Sequence, residues 1–256
     1  MPNTGLLLLG PGHLGEPRDL SLRVVQALRE ADLVLIEQGS DHGYAHIRKR
    51  LELPERTTLS LPGEALPEEL RGQILATLDQ GGTVLLFGVD EGIPAYADPG
   101  AAVVRLVRDH RPSTPIRSLG GSSVLGAAML ASGLSEDRLT LLGVTTSPPP
   151  QKERKLREVL RQAERLSDSD HVLALLTTGE DAVELARRLQ RRRWMRSHLV
   201  VCASLTRPEE RVFEGDPERL LADPPPPEAP CVLFLRARLR RWHPRAWLAM
   251  LRLLVG

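Results

Sequence analysis

TVLLFGVDEGIPAYADPG, residues 83–100, joins a short apolar run to a long loop rich in glycine, proline and carboxylates. The run Thr83–Phe87 predicts a buried strand, because it presents no polar face. Residues 101–109 have the apolar spacing of a helix that packs on one side. A loop between such elements usually needs two to six residues, and this one is about twice that length. Because ligands of α/β proteins bind beyond the carboxyl ends of strands, the loop predicts a binding site.

Strand and helix patterns alternate along the first half of the chain, which predicts a mainly parallel sheet covered on both faces. The whole chain is expected to be an α/β protein with mainly parallel or mixed sheets. A helix from Leu20 to about Ala31 is expected to be capped by Asp19, and Ser147–Pro150 reads as a stiff connector. We expect two α/β domains, 1–119 and 120–256, the second ending in an amphipathic helix near residues 244–255. The expected strands are Leu6–Leu9, Leu33–Glu37, Thr57–Leu61, Thr83–Phe87, Ile116–Leu119, Leu139–Val144, Val172–Leu176, Leu199–Ala203, Arg211–Glu214 and Cys231–Leu235.

The formal net charge of +1 over 256 residues excludes a globally basic nucleic-acid binder, so any such contact must rest on local patches. Two segments, Arg191–Arg196 and Arg236–Arg245, combine arginine with tryptophan. Guanidinium groups hold phosphates and indole rings stack on bases, so both segments are candidate RNA contacts. The alternative is a solvated helix end together with a packing or dimer surface.

The remaining composition points to an ordinary globular protein of the cytoplasm. Cys202 and Cys231 lie within apolar runs and are expected to be small core residues in a reducing compartment. The opening residues lack the basic region and long apolar core of a secretory signal. No stretch approaches the roughly 20 apolar residues of a membrane span. The histidines show no metal-ligand spacing, so we expect no metal site.

Gly10, Gly12 and Gly15 match the spacing of the dinucleotide-binding fingerprint, and Glu37 ends the next strand about where a ribose-binding acid belongs. In that fingerprint the glycines run directly into a helix whose first turn binds the phosphates. Here the segment 16–18 (Glu-Pro-Arg) intervenes and Pro11 stiffens the turn. Adenosine cofactors of other kinds also use such loops, so this alternative stays open beside the next one.

Several further segments follow in a fixed order: Gly10–Gly12, Asp19–Arg23, Ala31–Val34, Asp90–Pro94 with Asp98–Gly100, Gly121–Ser123, Ala131–Leu134 and Ser204–Arg207. As an ordered set they resemble the tetrapyrrole methylase superfamily of methyltransferases that depend on S-adenosylmethionine (SAM). The segment DEGIP…DPG is similar to the "DAGTP…DPG" loop of the bacterial small-subunit rRNA ribose 2′-O-methyltransferases. The tetrapyrrole enzymes more often carry "GDP…FG" at that place.

The resemblance implies two α/β domains with SAM in the cleft between them, a homodimer, and an RNA methyltransferase that acts on a ribose 2′-hydroxyl. Since a hydroxyl is a poor nucleophile, a base would help, and Asp90, Glu91 and His13 are the candidates. The last two cofactor positions, Leu176 and Thr177, are inferred from their order alone. Carried over by position, the cofactor-binding residues would be Pro11, Gly12, Gly88, Val89, Asp90, Gly92, Ile93, Pro94, Ser122, Ser123, Leu176 and Thr177.

The chain departs from the rRNA enzymes on the acceptor side. Residues 37–40 read EQGS where those enzymes carry "EDTR", and their "HEHNE" segment is absent near residues 60–64. Their "RELTK" appears as ASLTR at residues 203–207, without the acid. The cofactor features therefore survive better than the acceptor features. A methyltransferase for a tetrapyrrole precursor, or a SAM- or nucleotide-binding protein without turnover, remains as an alternative.

Overall fold

The computed structural model describes residues 5–63, 65–89, 100–135, 138–145, 149–167 and 170–239. Contacts divide the chain into two compact units, Met1–Gly126 and Ala127–Gly256. The domain boundary expected near Leu119 stays a prediction, because compactness alone does not establish where an independently folding domain ends. The amphipathic helix expected at residues 244–255 lies outside the described residues.

The first unit is built on a five-stranded parallel sheet with the order β3-β2-β4-β1-β5. Its strands are β1 (Leu6–Gly10), β2 (Leu33–Glu37), β3 (Thr57–Leu61), β4 (Thr83–Phe87) and β5 (Ile116–Ser118). Its helices are α1 (Leu22–Glu30), α2 (Asp41–Arg50), α3 (Glu68–Asp79) and α4 (Gly100–His110), with a 3₁₀ turn at Pro17–Asp19.

The helices of this unit cover both faces of the sheet and form two separate cores. Helices α1 and α2 pack on one face, against Val34 and Ile36 of β2. Helices α3 and α4 pack on the other face, where Leu33 and Leu35 of the same strand point. The connections through α1 and α2 run one way along the sheet, and those through α3 and α4 run the opposite way. Because such connections are right-handed, opposite directions place the helices on opposite faces.

The start of α1 differs from the sequence prediction. The N-cap of the helix is Ser21, whose hydroxyl accepts a hydrogen bond from the Val24 amide at 3.3 Å. Asp19 lies in the preceding 3₁₀ turn, which begins at Pro17. The prediction that Asp19 caps a helix beginning at Leu20 is therefore wrong, because the proline starts a separate tight turn first.

The second unit contains a mixed five-stranded sheet with the order β6-β7-β10-β8-β9, in which only the β6–β7 pair is parallel. Helices α6, α7 and α8 contribute to the core on one of its faces. Helix α5 (Val124–Ser132) spans the division between the units. The strands are β6 (Leu139–Val144), β7 (Val172–Thr178), β8 (Met195–Ala203), β9 (Arg211–Gly215) and β10 (Pro230–Leu239); the helices are α6 (Pro149–Arg165), α7 (Gly179–Gln190) and α8 (Pro217–Ala222).

The predicted fold class is confirmed: one sheet is parallel, the other is mixed, and both are packed with helices. Cys202 and Cys231 are buried core residues with free thiols, as expected. Of the stiff connector expected at Ser147–Pro150, Pro149 and Pro150 instead belong to the first turn of α6, where proline is well tolerated. Residues 147 and 148 lie outside the described residues. No helix within the described ranges is long and apolar enough to cross a membrane.

Candidate functional site

The carboxyl ends of β1 and β4 form a topological switch point in the first unit. The two strands are parallel neighbours, with Gly10 paired with Phe87 at their ends. The connection after β1 crosses over β4 to reach β2, whereas the connection after β4 crosses over β1 to reach β5. Chains that leave adjacent strands in opposite directions open a crevice between them, and ligands of open α/β sheets bind at such crevices.

The loops that follow these two strands touch through their backbones. The amide of Gly88 donates a hydrogen bond to the carbonyl oxygen of Gly10 at 3.1 Å. A Cβ atom placed on Gly12 would lie 1.6 Å from the carbonyl oxygen of Gly88 and 2.6 Å from that of Val89. Only glycine fits at position 12. One wall of the crevice is therefore formed by closely packed backbone, with the Val89 side chain buried behind it.

A third segment, residues 120–123, closes against the loop after β1. A Cβ atom on Gly121 would lie 2.6 Å from Cγ of Pro11. The Ser122 hydroxyl donates to the carbonyl oxygen of Asp19 at 2.9 Å, and the Ser123 hydroxyl accepts from the Gly126 amide at 3.2 Å in the first turn of α5. The structure thus brings Pro11, Gly12, Gly88, Val89 and the serine segment to one edge of the sheet. Both serine hydroxyls make structural hydrogen bonds there.

The central part of the predicted loop cannot be placed in this arrangement. Asp90, Glu91, Gly92, Ile93 and Pro94 lie outside the described residues. His13 directly follows Gly12 and is half-buried. The roles assigned to these residues stay predictions.

The dinucleotide alternative lacks the structural context that it requires. Helix α1 begins at Leu22, seven residues beyond Gly15, and the short 3₁₀ turn lies between them. No helix N-terminus therefore follows the glycines directly, as a bound pyrophosphate would need.

A buried polar network occupies the carboxyl edge of the parallel β6–β7 pair in the second unit. Thr177, near the end of β7, shares a hydrogen bond of 2.8 Å with the hydroxyl of Thr145, which directly follows β6. The Thr145 hydroxyl also lies 3.0 Å from Oδ2 of Asp181, whose other carboxylate oxygen forms an ion pair with Lys152 of α6. Asp181 is 2% exposed. Thr177 was predicted to be near the cofactor from its order, whereas the other three residues were missed.

This network holds α6 and α7 together at the edge of the sheet. The Asp181 carboxylate, with its hydrogen bond to the ammonium group, holds the pKa of Lys152 above its usual value. Thr178 is the N-cap of α7 and its hydroxyl accepts from the amide of Asp181 at 3.3 Å. A threonine followed three residues later by an acid is a sequence signal for a helix start. That signal could have pointed to Asp181, although not to its partners.

The two basic segments noted in the sequence meet on the second sheet. Arg196 of β8 lies directly opposite Arg238 of β10, and both side chains are exposed. Next to them His198 is paired with Arg236 along the same two strands. Arg238 also forms an ion pair with Asp170. These arginines therefore belong to strands rather than to a helix end, and the two segments form one basic surface; residues 240–245 lie outside the described part.

Within the described ranges, no group of three or more histidine, cysteine, aspartate or glutamate side chains could hold a metal ion.

Comparison with known proteins identifies relatives across almost the whole chain. Residues 8–220 match the family model described as Tetrapyrrole (Corrin/Porphyrin) Methylases. A protein of Leptospira biflexa named "Ribosomal RNA small subunit methyltransferase I" is 28% identical over 242 residues, covering 91% of this chain and 92% of its own length. The protein of the same name from Mycobacterium bovis is 27% identical over 224 residues, covering 85% of this chain and 72% of its own length.

A solved structure shares the fold. The uroporphyrin-III C-methyltransferase of Thermus thermophilus, complexed with S-adenosylhomocysteine, aligns with a TM-score of 0.51 and 22% identity. The alignment covers 91% of this chain and 97% of that one. Because the family model spans most of the sequence and the fold agrees, the chain belongs to the tetrapyrrole (corrin/porphyrin) methylase family.

Proposed function

We propose that the protein is a SAM-dependent methyltransferase that acts on RNA, with a ribose 2′-hydroxyl of small-subunit rRNA as the acceptor. The observation that carries this proposal is the switch point between β1 and β4, where Pro11, Gly12, Gly88 and Val89 form a backbone wall. The methylase family and the names of the relatives supply the reaction class and the acceptor. Such an enzyme acts in the cytoplasm, where ribosomal RNA is found.

The residues at the switch point fit SAM in chemical terms. When bound, SAM supplies a methyl group already activated by the positive charge on sulfur. A wall of backbone carbonyl and amide groups can hold a nucleoside and an amino-acid moiety without adding a competing charge. The solved relative in complex with S-adenosylhomocysteine supports the choice of donor. In this proposal Ser122, Ser123, Leu176 and Thr177 also belong to the cofactor site.

The chemical task left to the protein is to align the acceptor and to accept its proton. In-line displacement at a sulfonium depends mainly on positioning and on excluding water. A ribose hydroxyl additionally benefits from a nearby base. Asp90 and Glu91, just after the β4 edge, and His13, just after Gly12, are the proposed bases. Asp90 is assigned both to the cofactor loop and to this role.

The proposed RNA contact is the basic surface on the second sheet. Arg196 and Arg238 are opposite each other and exposed, so two guanidinium groups can face neighbouring phosphates. The segments Arg191–Arg196 and Arg236–Arg245 together form the proposed contact. The description of the family keeps a tetrapyrrole precursor as the competing acceptor.

A homodimer is the proposed assembly, as the family resemblance implies. Leu130 on α5 is 87% exposed and its neighbour Met129 is 38% exposed, so an apolar patch is available for a second copy. Light scattering of the wild type and of Leu130→Asp measures the oligomeric state of each protein directly. A dimer that the charge converts to a monomer is expected, and a wild type that is monomeric at micromolar concentration contradicts the assembly.

One experiment tests the cofactor and the acceptor together. The purified protein is incubated with methyl-labelled SAM and either deproteinised small-subunit rRNA or uroporphyrinogen III, and thermal unfolding is recorded with and without SAM. A ligand at 100 times its Kd adds about 2.7 kcal/mol to the stability of the folded state. For a chain of this size that raises the melting temperature by about 5 to 10 °C.

Label in rRNA that resists alkaline hydrolysis of the adjacent phosphodiester bond is expected, because a 2′-O-methyl group blocks that cleavage. Label found only in uroporphyrinogen III would mean that the acceptor is a tetrapyrrole precursor and not RNA. Thermal stabilisation without any label would favour a binding protein. If neither SAM nor its demethylated product raises the melting temperature, the proposed function is wrong.

A further inference from the structure

Helix α6 has one apolar face and one arginine face. Leu156, Val159, Leu160 and Ala163 point into the core of the second unit. On the outer side, Arg154, Arg157 and Arg161 are all exposed and recur at helical spacing along one stripe. The seven steps from Arg154 to Arg161 cover about 10 Å of helix axis.

This arginine stripe lines an open groove of about 500 Å³. Among the described residues, Pro150 is the one uncharged residue that lines it; the others are Glu153, Arg154, Arg157, Arg161 and Arg192. Four positive charges against one negative charge give the lining a net charge of +3. Arg192, which follows α7, also belongs to the basic segment 191–196, so the groove continues into that segment.

Part of this positive charge has no carboxylate partner. Glu153 lies 2.7 Å from Nε of Arg157 and 2.8 Å from Arg188, so one acid is shared by two arginines. Glu164 lies 3.5 Å from Arg192. Arg154 and Arg161 form no ion pair with any residue in the parts of the chain that the structure describes. Two guanidinium groups in the groove therefore remain available to an external anion.

The character of the lining selects the kind of anion. Protein interfaces need an apolar, often aromatic, centre, and the described lining of this groove provides none. Stacking of bases also needs aromatic side chains. Arginine without such neighbours suits the phosphates of a nucleic-acid backbone, a contact that positions the strand without reading its sequence.

We propose that the α6 groove, lined by Arg154, Arg157, Arg161 and Arg192, binds the phosphodiester backbone of the RNA substrate. This inference rests on the proposed function, because it identifies a second RNA-contacting surface on the same enzyme. The basic surface at Arg196 and Arg238 and the α6 groove are linked along the chain through the segment that contains Arg192. The groove supplies affinity, and the methyl-transfer site supplies the choice of acceptor.

The test compares two charge-matched double variants of the full chain. The groove variant is R154Q/R161Q, in which no ion pair among described residues is lost and glutamine retains helix propensity. The control is R105Q/R108Q, which removes two exposed arginines of α4, outside both the groove and the arginine stripe of α6. Binding of a fluorescent single-stranded RNA of 12 nucleotides is measured by anisotropy from about 50 to 200 mM salt. Inorganic phosphate is the competitor that identifies a site for a small anion alone.

Each phosphate contact on a single strand contributes about 0.7 to the slope of log K against log salt. The slope of the groove variant is therefore expected to be smaller in magnitude by about 1.4. Over a fourfold rise in salt, the factor by which its RNA affinity falls should be about sevenfold smaller than the factor for the wild type. The control is expected to keep most of the wild-type slope. SAM should raise the melting temperatures of all three proteins equally, which shows that the variants are folded.

Equal slopes for the groove variant and the wild type, or equal losses in both double variants, would overturn the inference. So would displacement of the RNA by millimolar phosphate at constant ionic strength, which would mean a small-anion site. These results leave the proposed function intact if the wild type still methylates rRNA. Conversely, a groove variant that loses RNA affinity in a protein that methylates no RNA would contradict the proposed function while the groove remains an RNA-binding site.

Discussion

Replacing Gly12 with alanine is expected to disrupt the switch point between β1 and β4. The added Cβ would lie 1.6 Å from the Gly88 carbonyl oxygen, whereas real Cβ contacts essentially never fall under 3.0 Å. The loops must therefore separate by at least 1.4 Å, the difference between these distances. That movement strains the hydrogen bond from the Gly88 amide to Gly10, 3.1 Å long in the native protein.

The cost follows from two contributions. Overpacking in a well-packed region costs about 1 to 3 kcal/mol. Loss of one backbone hydrogen bond costs about 1 kcal/mol more. We therefore expect Gly12→Ala to lower the free energy of unfolding by about 2 to 4 kcal/mol, measured by urea denaturation followed by circular dichroism. The thermal shift caused by SAM should be lost in the same variant.

Gly72→Ala is the matched control, because it is the same substitution with the opposite expected sign. Gly72 is an exposed residue within α3, and a Cβ there would meet nothing within 4 Å. Alanine at a helix interior is favoured over glycine by about 0.5 to 1 kcal/mol. If Gly12→Ala unfolds at the same urea concentration as the wild type and still responds to SAM, the reasoning about backbone packing at this site is refuted.

Three further results are expected. Asp181→Asn should lower stability by about 2 kcal/mol, less than a fully buried pair would lose, because Lys152 remains partly exposed and can regain water. Ion pairs with arginine lower the pKa of Glu153 from 4.5 to about 2, so its stabilising effect is present above pH 4.5 and is lost as the pH falls towards 2. Glu153→Gln should therefore flatten this part of the acid-unfolding curve. Burial raises the pKa of Cys202 to about 11 and that of Cys231 to about 12, so neither should react with iodoacetamide in the native protein at pH 8.

A specific outcome would contradict each of these three predictions. An Asp181→Asn variant as stable as the wild type would mean that the buried network contributes no net stability. An unchanged acid-unfolding curve in Glu153→Gln would mean that protonation of this carboxylate does not contribute to acid unfolding. Alkylation of either thiol at the rate seen in urea would contradict the burial of the cysteines.

The sequence predicts the bounds of the short strands best. The bounds expected for β2, β3, β4 and β6 agree with the structure to the residue. Runs such as Leu33–Glu37 are apolar on both faces because helices cover both sides of the sheet, so the pattern is unambiguous. The family resemblance was confirmed by the family model, which matches residues 8–220.

Strand ends that leave the core were predicted less well. β8 begins at Met195 rather than Leu199, and β10 extends to Leu239 rather than Leu235. Arginines alternate with core residues in these extensions, and a charged residue in a single sequence does not indicate a strand. Helix α8 (Pro217–Ala222) was missed because six residues are too few for a periodic pattern.

Some parts of the candidate site were also predictable from the sequence, and others were not. The glycine-proline loops were recognisable because backbone geometry restricts which residues can occupy them. The network of Thr145, Asp181 and Lys152 was not recognisable, because it joins residues that are adjacent only after β6 and β7 pair. Contacts of this kind leave no local periodicity in the chain. The α6 groove was hidden for a different reason: charged residues spaced along a helix indicate only a solvated face.

The position of β1 in the middle of its sheet has a consequence for biosynthesis. Its partners are far downstream, since Leu6 pairs with Thr83, 77 residues later, and Leu7 pairs with Ile116, 109 residues later. At a translation rate of about 5 to 20 residues per second, roughly 5 to 20 s pass before both partners have been made. During that interval β1 has no partner strand in its sheet, so its leucine run is open to non-native contacts until β4 and β5 have been made.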